Sequence, residues 1–61
     1  MCEFKVFLDG ELVFEDVIYA RIEGERLILK NVLGVSKVLE GCAIVEVNVA
    51  QERLTLSRLK S

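Results

Sequence analysis

The chain has 61 residues, of which 52% are hydrophobic, with eight basic and ten acidic side chains and a net charge of −2. A chain of this length buries only about 60% of the surface its unfolded form exposes, so a single small domain over 1–61 is expected, supported by a metal or by a second copy. The charge balance excludes general electrostatic capture by nucleic acid or anionic membrane, and the lack of histidine removes the commonest general base.

No apolar run approaches the roughly 18 residues a membrane-spanning helix needs. The amino terminus lacks the basic segment and apolar core of a secretory signal. Two cysteines are too few for a disulfide framework, so a reducing, cytoplasmic location is expected. So many apolar side chains in so small a chain exceed what one interior can hide. Large exposed apolar patches mark contact sites, and two-fold pairs are the commonest assembly, so a homodimer is predicted.

Proline is absent, and Gly10, Gly24, Gly34 and Gly41 punctuate the chain, as expected of short strands joined by tight turns. A first strand is predicted over 3–8, where Phe4, Val6 and Leu8 alternate with Glu3 and Lys5, and Phe7 breaks the alternation. Asp9-Gly10 suits a type I′ hairpin turn, in which both central residues must accept positive φ. A second strand over 11–15 places Leu12 and Phe14 on one face, and a third over 17–23 alternates Ile18, Ala20 and Ile22 with Tyr19, Arg21 and Glu23. Gly24-Glu25 turns the chain into a strand over 26–30, and Asn31-Val32-Leu33-Gly34 forms the next bend.

A further short strand is predicted over 35–40. The segment 43–49 alternates with period two, setting Ala43, Val45, Val47 and Val49 against Glu46 and Asn48. Ala50-Gln51-Glu52 reads as a turn, and 53–59 as a closing strand with Leu54 and Leu56 inward. A helix competes over 48–59 through the spacing of Val49, Arg53 and Leu56, but the alternation of Leu54-Thr55-Leu56-Ser57 favours strand. The pattern predicts an all-β fold of six to seven short strands, a small antiparallel barrel or strongly bent meander of the SH3- or Sm-like kind.

Few residues carry chemistry. Cys2 follows Met1 directly, and methionine aminopeptidase removes an initiator methionine when the next side chain is as small as cysteine. Cys2 would then offer an α-amine and a thiolate from one residue, with a deprotonated backbone amide beside them. Such mixed nitrogen and sulfur donors suit Ni(II) or Cu(II) in a tetragonal plane. In a two-fold dimer the two termini could meet and share one ion. The bland reading is a small, inert residue in second position.

Cys42 opens the most apolar strand and reads as a packed core residue. With no histidine and two distant cysteines, a zinc site within one chain is not expected. Glu15 and Asp16 are adjacent, so in a strand they point to opposite faces and read as solvation of a turn. Glu23-Gly24-Glu25 puts negative charge where a phosphate would sit. An enzyme is not expected.

Nucleic-acid binding needs a basic face with exposed aromatic platforms. Here the basic residues interleave with acids. Only Phe7 and Tyr19 fall on minority faces, and only the tail bearing Arg53, Arg58 and Lys60 is locally basic. A small RNA-binding or regulatory barrel is therefore the alternative, resting on fold analogy.

Met1-Cys2-Glu3, the Asp9-Gly10 turn, Leu12-Val13-Phe14-Glu15-Asp16-Val17, the Glu23-Gly24 turn and the bend at Leu33-Gly34 together resemble the CooT family of small nickel-binding proteins. Members are also catalogued as RNA-binding proteins. The resemblance spans the whole length and implies a compact β fold and a homodimer binding Ni(II) through its amino-terminal cysteine, here Cys2. It also implies a chaperone role in delivering nickel to carbon monoxide dehydrogenase. Cys42 matches no ligand of the family.

Overall fold

A single curled sheet, with no helix among the described residues, carries the fold. The structure, a computed structural model, describes residues 2–59. Its strands are β1 (Phe4–Leu8), β2 (Glu11–Glu23), β3 (Arg26–Asn31), β4 (Ser36–Glu40), β5 (Cys42–Asn48) and β6 (Arg53–Arg58). They lie in the order β4-β3-β2-β1-β6-β5. All neighbours pair antiparallel except β1 and β6, which run parallel. The edges β4 and β5 are not hydrogen-bonded to each other, so the sheet bends towards a barrel without closing, although β5 approaches β3 across the opening.

The turns follow their local chemistry. Leu8 pairs with Glu11, and Asp9 and Gly10 between them take φ of 50° and 85°, the positive values a type I′ turn demands. At the β3–β4 bend, Asn31 Oδ1 accepts hydrogen bonds from the Leu33 and Val35 amides, both 3.0 Å, which replaces ladder bonds the chain gives up in reversing.

The expected strands over 11–15 and 17–23 are one continuous strand. Asp16 has φ of 57°, and the pairing with β3 slips between Val17 and Tyr19. The bend at Asp16 is therefore a bulge rather than a turn. The first half of β2 pairs with β1 and the second half with β3, so this one strand carries most of the curl.

Two further bulges change which side chains face inward, because shifting the register by one residue exchanges the faces. The pairing slips between Val6 and Phe7, placing Leu12 opposite Phe7 and Phe14 opposite Val6. Leu12 and Phe14 therefore do not share a face: Leu12 is exposed and Phe14 packs against the core. In β5 the slip lies between Ile44 and Glu46. Ile44 then lies opposite Leu56 and Val47 opposite Leu54, so the expected face of Ala43, Val45, Val47 and Val49 is broken up.

The core comprises Val6, Leu8, Val17, Leu27, Leu29, Leu54 and Leu56, all from the four inner strands. Each such side chain contributes about 1.5–3 kcal/mol through burial. The edge strands add only the half-buried Leu39 and Cys42. Next to β5 the core stays open.

Candidate metal-binding terminus

Cys2 is exposed, two residues ahead of β1. Its position is set from the far end of the sequence. Because β1 and β6 pair in parallel with Lys5 opposite Arg53, the turn before β6 lies beside the start of β1. The Lys5 amide donates to the Glu52 carbonyl at 2.9 Å, and the Glu3 amide donates to the Glu52 carboxylate at 3.2 Å. That turn is itself fixed: the Gln51 amide donates to Asn48 Oδ1 at 3.0 Å and the Glu52 amide to the Val49 carbonyl at 3.2 Å. Met1, whose removal would make the Cys2 nitrogen the expected α-amine, lies outside the described residues.

Cys42 lies elsewhere. It pairs with Arg58, at the opposite end of β6 from Arg53, and a six-residue strand rises about 16 Å between its ends. The two thiols of one chain do not converge. Cys42 is half-buried against the core, with Sγ 3.6 Å from the Glu40 carbonyl. Among the described residues no three His, Cys, Asp or Glu side chains group as a ligand set. The donors at the terminus are thus one thiol and its neighbouring backbone. They fit an ion content with sulfur and backbone nitrogen in a plane, and they do not fit a four-side-chain zinc site.

The open side of the sheet is an apolar groove of about 200 Å³, lined by Phe4, Val17, Ile18, Ala20, Ile44 and Val47 among others. It runs across the curl of the sheet from β2 to β5, over Phe4 of β1 and Leu54 of β6, which lie between them in the strand order. Ile44 remains 37% exposed and Val47 56%. Phe4 brings the groove to within two residues of Cys2.

The aromatic and basic residues do not gather on one free face. The Arg53 guanidinium lies 4.9 Å above the half-buried Phe7 ring, so this ring is capped by its own chain. Tyr19 is exposed, with the Lys30 ammonium 5.9 Å from its ring centre. Arg58 faces Asp9 at 3.4 Å, and Arg21 and Arg26 face Glu23 and Glu40. Lys60 lies outside the described residues.

The fold and terminus define a small open-barrel β protein that presents an exposed amino-terminal thiol beside an apolar groove. A family model for the CO dehydrogenase accessory protein CooT matches residues 1–57. The chain belongs to the CooT family, whose members are accessory proteins rather than catalysts. A crystal structure assigned to CooT from Carboxydothermus hydrogenoformans is 28% identical and superposes with a TM-score of 0.86, covering 97% of this chain and 100% of that one. No curated protein matches the chain.

Sequence reasoning missed Glu52. Its carboxylate and carbonyl hold the segment carrying Cys2, and the hydrogen bond from Glu3 to its carboxylate joins residues 49 positions apart. The sequence marks Glu52 only as the last residue of the Ala50-Gln51-Glu52 turn; its positive φ and its reach to Glu3 appear only in the folded sheet.

Proposed function

We propose that this chain is a non-enzymatic Ni(II)-binding protein, a cytoplasmic nickel chaperone that carries the ion as cargo on Cys2 and works as a homodimer for an enzyme of the CO dehydrogenase type. The observation that carries the reading is an exposed thiol on a tethered amino-terminal segment in a chain that belongs to the family of accessory proteins to that nickel enzyme. The thiolate binds nickel as a soft, strongly σ-donating ligand. Backbone nitrogen completes the plane, and the rest of the chain holds the terminus in place.

The second copy docks over the open groove. Burying the apolar side chains there relieves the cost of their exposure to water. A net charge of −2 per chain adds little repulsion. Since Phe4 lines the groove, a two-fold axis beside it brings both Cys2 residues towards one ion.

Competition between the protein and a chromogenic chelator for Ni(II) tests the reading. Cys2→Ser is expected to abolish binding and leave the thermal midpoint unchanged, because the side chain is exposed. Equal affinity in the variant would contradict the reading.

A further inference from the structure

We infer that Glu52 is a positioning residue for the amino-terminal site: it fixes the Cys2–Glu3 peptide and keeps the Glu3 amide off the metal. The inference rests on the nickel reading and goes one step into its donor set. Two backbone nitrogens flank the Cys2 thiol. The nitrogen of Cys2 itself, the α-amine once Met1 is removed, closes a five-membered chelate ring with Sγ, whereas the amide of Glu3 would close a six-membered one. The Glu3 N–H already donates to Glu52 Oε2 at 3.2 Å, and a metal can take this nitrogen only if that proton leaves. Losing it would place an amide anion directly against a carboxylate. The clamp therefore favours the five-membered ring through Cys2.

The geometry of the clamp is economical. Glu52 grips the segment twice, through its side chain at Glu3 and through its carbonyl at Lys5, 2.9 Å from that amide. A planar trans peptide held at its N–H has its carbonyl directed the opposite way, so the Cys2 carbonyl points away from Glu52. Cys2 itself makes no hydrogen bond among the described residues. Its thiol is free and exposed.

The residue type points the same way. Glu52 adopts φ of 54°, a conformation that glycine accepts without strain and that a long side chain pays for in steric crowding. Positions that break a local rule in this way are commonly those whose side chain has a role. Here the strained residue supplies the carboxylate that meets the terminal segment.

Glu52→Gly separates the two roles, because it relieves the backbone strain and keeps the carbonyl bond while removing the carboxylate. The expected result is a thermal midpoint equal to or above wild type, with Ni(II) affinity lowered about tenfold, the scale of one backbone residue left unordered. The absorption band of the nickel complex should also move as the Glu3 nitrogen becomes available. Glu52→Gln, which keeps an acceptor oxygen, should recover most of the affinity. Wild-type affinity and an unmoved band in Glu52→Gly would overturn the inference. If wild-type protein and Cys2→Ser take up nickel equally, it is the nickel reading that fails. The clamp is then judged alone by hydrogen exchange of the Glu3 amide in metal-free protein, expected to speed up about tenfold in Glu52→Gly, and unchanged exchange would overturn it.

Discussion

Val47→Thr discriminates sharply between a free chain and a dimer that covers the groove. Threonine keeps the branched shape and strand preference of valine and exchanges a methyl for a hydroxyl. In the isolated chain Val47 is 56% exposed, so the hydroxyl stays hydrated and folding stability should change by no more than about 0.5 kcal/mol. If a second copy covers the groove, each hydroxyl buried without a partner costs about 1–3 kcal/mol. A two-fold interface contains two of them. The dimer should therefore weaken by at least about 2 kcal/mol, roughly 30-fold in its dissociation constant. Sedimentation equilibrium over a range of concentrations measures this constant, and urea denaturation of dilute protein measures folding. A dissociation constant within about threefold of wild type, or a wild-type chain that stays monomeric throughout, would refute the groove as the dimer face.

Leu29 is fully buried at the centre of the core, and Leu29→Ala should cost about 2–5 kcal/mol. A chain of this size has roughly 3–9 kcal/mol in total, so the urea midpoint should fall steeply; a loss below about 1 kcal/mol would mean that Leu29 is not central to the core. Cys42→Ala removes a half-buried side chain far from the terminus. It should lower stability by about 1 kcal/mol and leave nickel affinity unchanged, and a loss of affinity would place Cys42 in the site.

Local chemistry made several parts of the fold legible in the sequence. Asp9-Gly10 announces its turn because few other dipeptides accept two positive φ values. Val6, Leu8, Leu54 and Leu56 announce their inward face through alternation, despite the apolar Phe7 between the first two, and all four are buried. The bulges at Asp16 and in β5 were hidden, because an inserted residue leaves composition untouched and reveals itself only through the partner strand. The parallel pairing of β1 with β6 was hidden for the same reason. It depends on how the ends of the chain meet, and no local pattern encodes that.

The site divides along the same line. Cys2 stood out as a residue type in a particular position, and the resemblance to CooT proteins rested on it and on short turn motifs. The Glu52 clamp and the groove from Phe4 to Val47 required the assembled sheet. They arise from two different features of the sheet. The open side leaves apolar side chains uncovered, and the parallel pairing lays the β5–β6 turn against the amino-terminal segment.

The most direct test of the central claim is an absorbance titration of the metal-free protein with Ni(II), run beside Cys2→Ser. The account predicts a thiolate-to-nickel charge-transfer band that saturates at one ion per two chains and is missing from the variant. Absence of the band in wild-type protein, or its survival without the Cys2 thiol, would contradict the account.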